Sequence, residues 1–165
     1  MKLSLVLAAC LLMALAVGGQ AFAQTQIVFT GTNYASATLK AMPIDQGHVV
    51  LIGEQMGLEV NDKPLFNNLA THFALIIFFD NGAQHLRGYG TYADKDGDKF
   101  IVEIWDFPAG SPAKGKGKIV AATGKFVGLE GTADFTTQPT GGAWPPGTSR
   151  LVCQESWKLT IKNPM

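Results

Sequence analysis

The sequence predicts an all-β protein, a single antiparallel sandwich or closed barrel, and three observations point there. Short strand-like runs follow one another at close spacing, separated by Asn, Asp, Gly and Pro. No segment carries a convincing amphipathic-helix period. Nineteen glycines in 165 residues supply the turns and bulges that such folds need. Closure is the attractive form because it leaves no edge strand open to aggregation.

Residues 1–23 stand apart from this domain. Lys2 supplies a positive start, residues 3–17 are almost wholly apolar, and Ala21-Phe22-Ala23 is a small-x-small cleavage signal. The run is short for a transmembrane helix. It reads as a signal peptide, with the mature chain starting at Gln24 and residues 24–165 forming one domain. Export to a periplasm or the medium follows. Leu7-Ala8-Ala9-Cys10 also resembles a lipoprotein box, but it sits very early, and simple export is preferred over a lipid anchor on Cys10.

Charge excludes some partners. Thirteen basic residues balance thirteen acidic ones, and loss of Lys2 leaves the mature chain near −1. Nothing here favours nucleic acid or an anionic membrane surface. Cys153 is the one cysteine after Gln24, so no intramolecular disulfide is expected.

The strands are read in order. Residues 26–30 and 37–42 are short candidates separated by a polar turn at 31–36. Residues 48–60 alternate cleanly, with Val50, Ile52, Glu54, Met56, Leu58 and Val60 on one face. Residues 65–69 are a helical turn or a loop that covers one end. Residues 71–79 are apolar on both faces, as in a strand buried on both sides. Residues 85–107 form a hairpin about an acidic turn. Residues 109–117 read as a Pro/Gly/Lys loop, 118–123 and 132–137 as strands, and 139–147 as a loop carrying Trp144. Residues 151–161 are the final alternating strand.

GYGTYADKDGDKFIVEIWD, GKGKIVAATGKFVGLEGTADF and the earlier LEVNDKPLFNN resemble a family of small exported bacterial proteins. That family is similar in pattern to the allene oxide cyclase and dirigent type of β-barrel. The resemblance spans residues 53–135 and implies a closed barrel of eight strands. Its motifs are mostly turn glycines, so it implies a fold and transfers no site. Asn67, where relatives carry His, and the lack of a cysteine near Tyr89 to Tyr92 are departures from the pattern.

Familiar site motifs fail on spacing. Asp94, Asp96 and Asp98 suggest calcium, but the EF-hand glycine and terminal glutamate are out of place, so a hairpin turn is expected. Gly124, Gly128 and Gly131 lack the Gly-Lys-Ser/Thr of a phosphate loop. Lys114, Lys116, Lys118 and Lys125 read as a solvated basic run. No metal site and no cofactor is expected.

Strand parity supplies the candidates. In the last strand Glu155 shares a face with Leu151, Cys153, Trp157, Leu159 and Ile161, so it is expected to point inward. Glu54 is expected inward for the same reason. Glu103 lies between Ile101 and Trp105, and its direction stays open. His85, Arg87, Tyr89 and Thr91 share a face, and His72 shares one with Ala74 and Ile76. A buried carboxylate costs several kcal/mol unless it is paired. Arg87 is the first expected partner, then His72, Tyr89 and Trp157. The resulting candidate site is Glu54, His72, Arg87, Tyr89, Glu103 and Glu155, with Trp105, Trp144 and Trp157 as apolar walls.

Three functions remain in play. The first is binding of a small, partly apolar ligand or a protein partner. The second is a cyclase- or isomerase-like enzyme with a buried glutamate as general acid or base. The third is an assembly protein that associates through an apolar outer wall, so an oligomer is allowed.

Overall fold

The computed structural model describes residues 24–106, 108, 112–141 and 147–162. The expected leader at 1–23 and Trp144 lie outside these residues. Eight strands form a closed antiparallel barrel in sequence order: β1 (Gln24–Asp45), β2 (His48–Asn61), β3 (Leu69–Asp80), β4 (Ala83–Ala93), β5 (Lys99–Trp105), β6 (Ala113–Ala122), β7 (Leu129–Pro139) and β8 (Thr148–Lys162). Closure is made by β1 pairing with β8, from Gln24 opposite Lys162 to Thr38 opposite Thr148. Among the described residues no helix is long and apolar enough to cross a membrane.

Two stretches read as turns are strands. Residues 31–36 join both early candidates into the single β1, because Gly31, Asn33 and Ala35 continue the inward alternation of Phe29. In β6, Gly115 and Gly117 take inward positions and the lysines between them point out. A side chain at Gly117 would meet the Phe135 ring at 2.6 Å and Val102 at 2.8 Å, so the barrel requires glycine there.

The ends of the barrel differ. One end is plugged by aromatic rings. The turn at 64–68 drops Phe66 onto Phe29, with centroids 5.0 Å apart, and the short 3-10 helix Gly124–Phe126 adds Phe126 against Phe100 at 5.3 Å. Tyr92 stacks on Phe100 at 4.8 Å, and Trp157 meets both edge-on. The expected cover over one end is thus this 64–68 turn. The acidic loop at the same end is the expected turn: Asp94 accepts the backbone N–H groups of Asp96 and Asp98 at 2.8 and 3.0 Å and is paired with Lys125.

Parity is inverted in β2. Val50, Ile52, Glu54, Met56, Leu58 and Val60 point outward, and Leu51, Gly53, Gln55, Gly57 and Glu59 point in. The interior of a small closed barrel has little room beside the rings of neighbouring strands. Gly53 and Gly57 meet the backbone of β1, where added side chains would lie 2.0 Å from the Thr38 carbonyl and 2.6 Å from the Tyr34 carbonyl. The apolar stripe is left on the outer wall. In β3 only one face is buried, and Ile76 and Phe78 are 40% and 44% exposed.

The plug is a stability determinant. Phe66→Ala or Phe126→Ala is expected to cost roughly 3–5 kcal/mol. Phe78→Ala, on the outer wall, is expected to cost about 1 kcal/mol or less. Urea denaturation of the three variants checks the ranking.

Candidate functional site

Above the plug the barrel is hollow. A cavity of about 380 Å³ opens at the end where β1 turns into β2 and β7 into β8. Phe73, Leu75, Ile77, Leu86, Ile104 and Phe135 form its apolar wall, Arg150 lies at its rim, and Cys153 and Glu155 lie at its floor. A wider depression of about 800 Å³ lies beside the mouth, lined by Arg87, Lys114, Lys116, Asp106 and Asp134. Its mixed charges leave the lumen as the better apolar site.

The floor is built from three strands. Glu155 in β8 is 2% exposed, as its inward parity predicts. Its carboxyl accepts the Tyr92 hydroxyl at 2.9 Å and the Trp157 indole N–H at 2.9 Å. Beside it lies a second buried carboxyl, Glu59 of β2, only 1% exposed. Asn61 Nδ2 donates to Glu59 Oε1 at 3.2 Å. Glu59 Oε2 is buried with no hydrogen-bond partner among the described residues.

The strand between them makes this meeting feasible. In β1, Gly31 sits opposite Glu155 on one side and Asn61 on the other. A Cβ at Gly31 would lie 1.7 Å from Glu59 Oε1. The missing side chain is the space the carboxyl occupies. The turn after β2 fixes Asn61: its backbone N–H donates to Asn67 Oδ1 at 3.0 Å, and its side chain donates to the Phe66 carbonyl at 2.9 Å. Asn68, in the left-handed region at φ 58°, returns its N–H to the Glu59 carbonyl at 2.9 Å. Asn33 and Thr71, both buried and hydrogen-bonded at 3.0 Å, complete the polar layer.

Burial and proximity dominate the electrostatics. Burial pushes the Glu59 carboxyl up to about 7, opposed by its hydrogen bond from Asn61. Burial, followed by the charge of Glu59, pushes Glu155 well above the ordinary range, opposed by Tyr92 and Trp157. Tyr92 is raised by burial and then by Glu155. Cys153 is raised by burial, accepts the Thr137 hydroxyl at 3.1 Å, and stays a thiol. No cation is among the groups acting on the two carboxyls.

Of the sequence candidates, Glu155 and Trp157 are in this layer. The others described are brought together elsewhere. Glu54 and His72 pair at 3.1 Å on the outer wall, and Arg87 and Glu103 pair at 3.4 Å beside them. Tyr89 is 56% exposed between the two pairs, in register with Glu103 and with Ala74, while Trp105 is opposite Arg87. The expectation that Glu54 and Arg87 point inward is therefore corrected: inverted parity carries Glu54 out, and Arg87 follows the exposed face of β4. Arg87 is accordingly no partner of Glu155. Trp105 lies on the outer face as well, so the cavity wall is phenylalanine, leucine and isoleucine rather than tryptophan.

Glu59 and Tyr92 were missed. Both lie inside stretches singled out only for the family resemblance, LEVNDKPLFNN and GYGTY. The available signal was that Glu59 takes the face of β2 shared with Gly53 and Gly57.

The site makes stability pH-dependent. A carboxyl raised in the folded state stabilises the fold fully below its ordinary value, and that contribution is lost as pH rises through the folded value. Stability is expected to fall by on the order of 2–3 kcal/mol from about pH 5 to about pH 8. Glu59→Gln should flatten the fall in thermal or urea denaturation; an unchanged slope would show that Glu59 ionises as it does in water.

No family model and no curated protein matches the chain. Among solved structures, the chain is similar to a pterocarpan synthase dirigent protein, at 13% identity and a TM-score of 0.50, over 90% of this chain and 96% of that one. The shared feature is the architecture. The chain has the dirigent-type fold, a closed barrel of eight antiparallel strands.

Proposed function

We propose that this is an exported barrel that binds a small, largely apolar, uncharged molecule in its lumen. One observation carries the reading: the barrel is plugged by aromatic rings at one end and holds a cavity of about 380 Å³, apolar-walled, open at the other. Ligand cavities of this kind are a few hundred Å³ with a few polar groups that set orientation. Here Glu155 is the acid at the floor and Arg150 the base at the rim, so an apolar body fills the wall region between them and one polar group reaches Glu155. A carboxylate at the floor is disfavoured, since it would meet a buried acid pair whose nearest cation on the cavity lining, Arg150, stands at the rim.

Native mass spectrometry of the protein purified from its own host tests this. The expected result is a retained non-covalent adduct on a chain beginning at Gln24, lost in Leu75→Trp, which fills the lumen. A folded wild-type chain that binds no neutral apolar compound in solution would overturn the reading.

A second reading, association with another copy through the outer wall, rests on a different observation. Ile52, Met56, Leu58, Ile76 and Phe78 are each about 40% exposed or more on adjacent strands around the Glu54–His72 pair. Contiguous apolar surface of this kind marks interaction sites. Sedimentation should show an oligomer that Ile76→Glu dissociates; a wild-type monomer at high concentration excludes it.

A further inference from the structure

We propose that Glu59 and Glu155 act as a one-proton acid–base pair that moves protons on an uncharged carbonyl compound held in the lumen. The inference rests on the lumen-binding reading and adds a reaction to it. The two carboxyls are 1% and 2% exposed, meet across Gly31 with no cation beside them, and leave Glu59 Oε2 without a donor, so one proton kept between them avoids a second buried negative charge. The pair is therefore a mono-anion.

Its surroundings suit that charge. Tyr92 and Trp157 donate to Glu155, and Asn61 donates to Glu59. The titratable groups facing the pair are Tyr92 and Cys153, both held in their neutral forms. Glu155 alone of the two reaches the cavity floor; Glu59 stands behind it as a proton reservoir. A purely structural polar layer needs neither a second acid nor an open approach to the first.

The step balances without a cofactor. The ionised pair takes a proton from the carbon next to the ligand's carbonyl. The C–H electron pair becomes the C=C bond of an enolate as the carbonyl π pair moves to oxygen, and the pair becomes neutral. It then returns one proton to that carbon, or to the far carbon of a conjugated system, which shifts a double bond. Nothing is oxidised or reduced. Glu155 is the catalytic residue, and Glu59 is a positioning residue that sets its proton affinity.

The test is uptake of deuterium by 2-tetralone, a neutral apolar ketone, in buffered D2O with the mature chain. Mass spectrometry reads the exchange and saturation-transfer NMR reads binding. Wild type is expected to exchange the ketone at least ~100-fold faster than Glu155→Gln, the scale of general acid–base catalysis. Glu59→Gln is expected to bind the ketone and to shift the pH profile of exchange toward lower pH, which a merely structural role would not do. Leu75→Trp, with the pair intact, should lose both binding and exchange. Equal exchange by wild type and Glu155→Gln with the ketone bound overturns the acid–base pair and leaves the lumen reading standing. No saturation transfer to wild type overturns both. Should Glu155→Gln not fold, exchange by wild type no faster than by Leu75→Trp overturns the acid–base pair equally.

Discussion

Pairing of the first strand with the last is the constraint on which everything else depends. It removes the sheet edges, which in an antiparallel meander would otherwise stay open. It also sets β2 and β8 on either side of β1, so that inward residues of those strands meet across it. At Gly31 the meeting is between Glu59 and Glu155, because glycine offers no side chain to keep them apart. The same closure gives the lumen its size. Inward glycines in β4 and β6 let the Phe73 and Phe135 rings of neighbouring strands lie close to the wall, and aromatic residues accumulate at one end as a plug.

A plugged end and an empty end are different uses of one interior. The plug buries six large rings and supplies much of the apolar burial that holds the barrel closed. The empty end forgoes that burial. A barrel under no demand but stability would have filled it with side chains, since voids cost packing contacts. The polar layer between them is a further cost: two carboxyls, an asparagine and a threonine are held out of water. Cost and cavity fall together at Glu155, and perturbed acids beside cavities are where chemistry or specific binding is found.

The fold was legible in the sequence because its signals are local. Turn residues and strand lengths placed most strands, and the final strand's alternation put Glu155 inside. The direction of β2 was not legible from alternation alone. Parity says that two sets of residues face opposite ways, and the usual assumption assigns the apolar set to the core. In β2 the apolar set of Ile52, Met56 and Leu58 is outside, because two of the inward places, Gly53 and Gly57, leave no room for a side chain against β1. That inversion hid Glu59 and promoted Glu54. The sequence candidates Glu54, His72, Arg87, Tyr89 and Glu103 do assemble, on the wall opposite to the one expected. Tyr92 was hidden for another reason: its hydrogen bond to Glu155 spans 63 residues, and no local pattern carries such a contact.

The account rests on one proton shared by two buried carboxyls. Carboxyl-selective ¹³C NMR, with glutamate labelled and Glu59→Gln and Glu155→Gln used for assignment, reads it directly. The account predicts two resonances that titrate well above the ordinary glutamate value of 4.5, with Glu59 near 7, and that Gln at either site moves the titration of the other. Two carboxyls that titrate independently near 4.5 would contradict it.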